Sequence, residues 1–227
     1  LAERVSERLS DAEQTNRLEH VSGIKESLQP MLKDIGEDEK PAGETRSSKA
    51  ELVDHMLDVA PDAYIVDEGV TSKFAMLTRF PFDAEQYLAN KGGGLGYGLP
   101  AAVGAAFAES LQDDPRDVVG YVGDGSYLYY PHSIYSAARH DLDLTIVVSD
   151  NRNYRILKNN TVKMLGGNEE EYDFVGMDFD PHVDIPKNAA SHGARGHLVE
   201  TATEFPDVYE TALNSDGTDV IDVLVHD

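Results

Sequence analysis

The sequence contains no cysteine. That excludes a disulfide framework, a thiolate metal site, an iron–sulfur cluster and a cysteine nucleophile. It also lacks any long apolar stretch, so no membrane span is expected. Positive charge is scarce: 19 Lys and Arg face 42 Asp and Glu, for a formal net charge of −23. Phosphate backbones are held by Lys and Arg, and no basic patch is visible, so neither nucleic acid nor a membrane surface is an expected partner. A cytoplasmic location is the simplest expectation. Disorder often accompanies such charge, but 41% hydrophobic residues, with clean runs such as Leu144 to Val148, suffice to fill a core for 227 residues. The length corresponds to one large domain or two small ones, folded and soluble.

The acidic residues are dispersed. Asp54, Asp58 and Asp62, Asp113, Asp114 and Asp117, and Glu169 to Glu171 sit on turns and helix faces, while the apolar runs stay uncharged. An interaction tail would concentrate them at one end. A surface acidic throughout resembles that of halophilic proteins, in which molar salt screens self-repulsion, and this reading is preferred to an acidic partner-binding surface.

Along the chain, Leu1 to Asp38 is polar with apolar positions Val5, Leu9, Leu18, Val21, Ile24, Leu28 and Leu32 at roughly helical spacing, and Pro30 is expected to break or kink the run. Gly36 to Ser48 has the composition of a linker. Residues 1–45 therefore read as a helical extension and linker from an upstream domain, and 46–227 as a compact domain.

The compact part alternates helices and strands. Ser48 is placed to cap a helix ending before Pro61, and Ala63 to Val66 follows as a strand. Pro100 opens an Ala-rich helix. Strands are expected at Val118–Val122, Leu144–Val148, His197–Glu200 and Val220–Val225. Helices are expected at His132–Arg139, from Tyr154, at Asn188–His192 and at Phe205–Leu213. Continuous apolar strands alternating with helices predict an α/β fold, a mostly parallel sheet covered on both faces, with ligands beyond the carboxyl ends of the strands.

Two strand ends carry chemistry. One runs into Gly123-Asp124-Gly125-Ser126, the next into Asp150-Asn151-Arg152-Asn153-Tyr154, and Asn151 follows Asp124 by 27 positions. Glycines flanking an Asp leave backbone amides open to an anion. The helix start beyond adds partial positive charge suited to phosphate. If the two strands are neighbours, Asp124 and Asn151 meet, and a carboxylate, an amide oxygen and a backbone carbonyl, completed by phosphate oxygens and water, make an oxygen cage of the kind Mg²⁺ prefers.

This spacing resembles the diphosphate-binding motif of thiamine diphosphate enzymes. Gly92-Gly93-Gly94-Leu95-Gly96-Tyr97-Gly98-Leu99-Pro100-Ala101-Ala102-Val103-Gly104 is similar to the stretch preceding that motif in the acetolactate synthase, pyruvate decarboxylase and benzoylformate decarboxylase group. Residues from about Ala50 to Asp227 resemble that group's C-terminal, thiamine diphosphate-binding domain. The resemblance implies a thiamine diphosphate- and Mg²⁺-dependent 2-oxo acid decarboxylase or carboligase, with a 2-oxo acid substrate and a homodimer or homotetramer in the full-length protein. It implies that Asp124, Asn151 and Asn153 hold the metal, the last through its carbonyl, that Gly125, Ser126 and Tyr154 contact the diphosphate, and that the loop Asp67-Glu68-Gly69-Val70-Thr71-Ser72 after the first strand reaches it too, with Thr71 the best candidate. Gly93 would offer its carbonyl to the aminopyrimidine amine, Leu95 would be the apolar wedge bending the cofactor, and Ile156 and Leu157 would face the substrate.

There are departures from the family pattern. The usual Asn-Asn is Asp150-Asn151 here, and Leu128 falls where many relatives carry a polar residue, so part of the pocket is expected to be unusually apolar. The Glu that activates the cofactor belongs to a separate N-terminal domain in this family, and no residue of this chain is assigned that role. The chain is thus expected to be a C-terminal fragment, inactive alone. A short subunit of a split sulfopyruvate or phosphonopyruvate decarboxylase and a noncatalytic module of the same fold are the alternatives.

Other features have plainer readings. A dinucleotide fingerprint in the glycine run fits only in the relaxed form Gly96, Gly98, Ala101, and no apolar strand is expected to lead into it. The histidine pairs His132/His140 and His192/His197 lack metal spacing. Tyr127, Tyr129 and Tyr130 are expected to pack in the core.

Overall fold

The computed structural model describes residues 10–36, 40–82, 85–90 and 92–226. Its centre is a six-stranded sheet of β1 Tyr64–Glu68, β2 Tyr87–Ala89, β3 Val118–Gly123, β4 Leu144–Asp150, β5 Arg195–Val199 and β6 Thr218–Leu224. The spatial order is β2-β1-β3-β4-β6-β5, and every neighbouring pair is parallel. The expected α/β architecture is therefore present.

Every residue of β4 is buried, as are the first five of β3, which is why these strands read as uninterrupted apolar runs. Alternate side chains feed two cores. Ile65, Val119, Tyr121, Val147 and Ile221 point toward helices α2 (Lys49–Val59), α3 (Lys73–Arg79) and α9 (Phe205–Leu213). Val66, Val122, Ile146, Val148 and Val220 point toward α4 (Gly98–Glu109), α6 (Ser133–Arg139) and α8 (Ile185–Ser191). Each fully buried Val or Ile contributes about 1.5–3 kcal/mol. A Cβ on Gly120 would lie 3.1 Å from that of Ala102, so a small residue on each side lets α4 lie close on the sheet.

Helix α2 begins as anticipated: Ser48 Oγ accepts from the Glu51 N–H at 3.0 Å, and Glu51 returns a carboxylate to the Ser48 N–H at 3.3 Å. The segment before it is tied in by the Ala202 N–H donating to Thr45 O at 2.9 Å and by a parallel bridge between Ser47 and Val225. Helix α1, Asp11–Gly36, lies beside α3 and runs through Pro30, so the expected break there does not occur. Pro30 is exposed, where water can satisfy the carbonyl it leaves unbonded. Val5 and Leu9 of the predicted stripe lie outside the described residues.

Three elements did not stand out in the sequence: α3, the four-residue α5 (Asp124–Tyr127), and β2, which leads directly toward the glycine run and so corrects the expectation that no strand does. Tyr127 is fully buried, its hydroxyl donating to Asn188 Oδ1 at 2.8 Å. Tyr129 and Tyr130 are instead half exposed, because the chain turns at the end of α5 and leaves them at the surface. No helix among the described residues is long and apolar enough to cross a membrane.

Candidate cofactor site

The order in which strands are laid down reverses beside β1: β2 lies on one side of it and β3 on the other. Ligands in open parallel sheets bind at such a point, beyond the carboxyl ends of the strands. Glu68 stands opposite Val122, and Gly123 opposite Ser149, so the ends of β1, β3 and β4 lie side by side. The loops that follow line a half-open cleft.

Of the residues singled out from the sequence, Thr71, Leu95, Asp124, Gly125, Ser126, Asn151, Asn153, Tyr154 and Ile156 line this cleft. Gly93 lies in an adjoining recess that shares Leu95 and Val70 with it. Leu157 does not line either space: it follows Ile156 on helix α7 (Arg155–Leu165), which turns it outward to 45% exposure. Leu128 borders a smaller neighbouring cavity with Asp150, Phe179 and Ile185 and is absent from the walls of the main cleft.

Asp124 sits at the floor. Its Oδ1 accepts from the Gly125 N–H at 2.8 Å, while Oδ2 is shut off from solvent with no hydrogen-bond partner. Burial, and then the facing Asp150 carboxylate, push the Asp124 carboxyl well above the usual range. Asp222 on β6 is raised by burial and by the same neighbour. The loop after β4 is tightly wound: the Arg152 N–H donates to Asp150 Oδ1 at 2.7 Å with Arg152 at φ 60°, and the Asn153 N–H donates to Asn151 Oδ1 at 3.2 Å. Residues 177–179 brace it, with the Tyr154 N–H reaching Met177 O at 2.8 Å and the Phe179 N–H reaching Arg152 O at 2.9 Å. The Tyr154 ring packs edge-on against Phe179 and covers Gly125, where a Cβ would come within 2.8 Å of it. The second glycine of the motif is thus required by the tyrosine above it.

The family model described as thiamine pyrophosphate enzyme, C-terminal TPP binding domain, matches residues 69–223. The chain belongs to this family. Among its relatives, benzoylformate decarboxylase of Pseudomonas aeruginosa is 29% identical over 203 residues, 88% of this chain and 37% of the relative. Acetolactate synthase of Bacillus subtilis is 30% identical over 131 residues, 58% of this chain and 21% of the relative. The solved thiamine diphosphate-dependent 4-hydroxybenzoylformate decarboxylase of Rhodococcus jostii RHA1 superposes with a TM-score of 0.73 at 31% identity, over 84% of this chain and 34% of that one. The chain spans about a third of the length of the curated relatives it matches over most of its own length.

The donor set suits the family's cofactor with its metal. No group of three or more His, Asp or Glu side chains able to hold a metal occurs among the described residues. A cation in this member of the family would therefore need amide and carbonyl oxygens and the ligand's own phosphates beside one carboxylate, which is how Mg²⁺ is commonly held. The unpartnered Asp124 Oδ2 is an acceptor for it. Val70 and Ser72, from the loop expected to reach the diphosphate, also line the cleft, as do Ser149 and Arg155, which no motif separates from ordinary strand-end residues. Glu68, expected in the loop that reaches the diphosphate, is instead the buried last residue of β1 and borders the adjoining recess rather than the cleft; burial of a carboxylate has no signature in sequence.

Proposed function

We propose that this chain is the cofactor-anchoring part of a thiamine diphosphate- and Mg²⁺-dependent 2-oxo acid decarboxylase or carboligase. The observation that carries the reading is Asp124, buried at the cleft floor with an unpartnered Oδ2, with Asn151 lining the same cleft just past the end of the neighbouring strand. Asp124, Asn151 and the Asn153 carbonyl would hold Mg²⁺. Gly125, Ser126, Thr71 and Tyr154 would surround the diphosphate, at the N-terminus of α7, whose free amides favour an anion. Leu95 would press on the cofactor from the opposite wall, Gly93 would receive its amine, and Ile156 would border the substrate. When bound, thiamine diphosphate supplies the carbon nucleophile and electron sink for breaking or making a bond next to a carbonyl. The protein's part is to orient it and exclude water.

The activating Glu is proposed to lie outside these residues, on another domain of a homodimer or homotetramer, so the chain alone is expected to be inactive. Calorimetry on the full-length protein with thiamine diphosphate, with and without Mg²⁺ and with Asp124→Ala, tests the reading. Binding that needs Mg²⁺ and fails in the variant supports it; binding that is absent, or indifferent to the metal, overturns it. A panel of 2-oxo acids then identifies the substrate.

A further inference from the structure

Glu68 ends β1 on the face turned toward α4 and is only 6% exposed. Both of its carboxylate oxygens are used by the glycine-rich loop: Oε1 accepts from the Gly96 N–H and Oε2 accepts from the Gly98 N–H, the latter at 2.6 Å. Close approach accounts for both glycines, Gly98 through Glu68 itself and Gly96 through the tyrosines above it. A Cβ on Gly98 would lie 2.7 Å from Oε2 and 2.9 Å from Val122 Cγ1, and Gly96, at φ +90°, would drive a Cβ to 2.8 Å from the Tyr130 ring. Tyr97 adds a third tie, its hydroxyl donating to Asp67 O at 2.7 Å. At the other end, Asn90 Oδ1 accepts from the Gly92 and Gly93 N–H groups at 2.6 and 3.1 Å. Gly93 lies at the edge of the first anchor and Leu95 between the two, and Glu68 borders the same recess as both.

The chemistry of the anchor is specific. The two N–H donors meet different terminal atoms of the side chain, so both atoms must be acceptors, as in a carboxylate and not in a carboxamide. A Gln here would turn an NH₂ group against an N–H. Hydrogen bonds to a charged acceptor are also the stronger class.

We propose that Glu68 is a positioning residue: by holding the Gly96 and Gly98 amides, its carboxylate sets the Gly93 carbonyl and the Leu95 side chain where the ring end of the cofactor is received. The inference rests on the thiamine diphosphate reading above, and its test separates the two.

In the full-length protein with saturating Mg²⁺, Glu68→Gln is expected to bind thiamine diphosphate about tenfold more weakly and to exchange amide hydrogens faster over residues 92–98. Wild type that binds the cofactor alongside a Glu68→Gln variant that binds it equally well overturns the positioning role and leaves the proposed function intact. A lowered melting temperature with unchanged cofactor affinity is the signature of a merely structural residue and also overturns it. Wild type that binds no thiamine diphosphate overturns both. If Glu68→Gln does not fold, the wild type decides: slow exchange at Gly96 and Gly98 without cofactor, and added protection over 92–95 with it, support the role, while fast exchange at the two amides refutes it.

Discussion

Gly123, the last residue of β3, lies directly opposite Ser149 in the parallel ladder with β4. Each strand then continues by one residue into an Asp, and the two carboxylates, Asp124 and Asp150, face each other in a space where both are more than nine-tenths buried. Like charges at such a point are costly unless a proton or a cation intervenes. Replacing Asp124 by Asn should therefore abolish Mg²⁺-dependent cofactor binding while stabilising the metal-free protein by about 1 kcal/mol or more. Calorimetric titration and thermal melts in EDTA measure the two effects. A variant that retains Mg²⁺-dependent binding contradicts the assignment.

Gly125 offers a steric test. An added Cβ would come within 2.9 Å of two Tyr154 ring atoms, so the ring must shift off Phe179 and into or away from the cleft. Gly125→Ala should lower thiamine diphosphate affinity by about tenfold or more with a stability loss of about 1–3 kcal/mol. Unchanged affinity would show that Tyr154 does not shape the diphosphate end.

Far from the cleft, at the start of β6, Asp219 is 1% exposed and gathers Arg195 at 2.6 and 2.9 Å, His197 Nε2 at 2.7 Å and Ser215 Oγ at 2.8 Å. Burial raises its pKa, but the bonds from Arg195, His197 and Ser215 outweigh that and hold it below the usual 3.8. A depressed carboxyl pKa means that the unfolded chain binds the proton more readily. The stabilisation is thus complete above about pH 4 and is lost as pH falls through the lower folded value. Asp219→Asn should cost about 3 kcal/mol near neutral pH, since it leaves the Arg195 cluster without its anion. The loss should shrink in acid; denaturant melts at pH 7 and pH 3 give the comparison.

Salt is the fourth handle. With a formal charge of −23 spread over the surface, self-repulsion opposes the compact state and screening relieves it. The melting temperature should rise between dilute buffer and molar KCl. A fall would mean that the surface ion pairs, such as Arg79 with Asp54 at 2.6 Å, outweigh the repulsion.

Much of the scaffold was legible because its signals are local. α9 spans the nine residues expected of it, Phe205–Leu213, and β4 begins at Leu144 as read. β1 extends two residues past its expected end because Asp67 and Glu68, expected in the loop that follows, are buried through partners far along the chain: Tyr87 Oη on one, the Gly96 and Gly98 amides on the other. β2 is three residues long and exists only by pairing with β1. Leu157 missed the cleft because one step along a helix rotates a side chain about 100° from its neighbour.

The amino-acid order alone determined the alternation of apolar strands with helices, the glycine–carboxylate turn at one strand end and the paired Asx residues at another. These depend on periodicity and on the conformational freedom of neighbouring residues. The folded sheet decided that β3 and β4 are adjacent, that Asp124 faces Asp150, that Glu68 clasps the glycine loop and that Asp219 is charged in the interior. Each of these joins groups distant in the chain, and burial takes its cost or benefit from whichever partner the fold delivers.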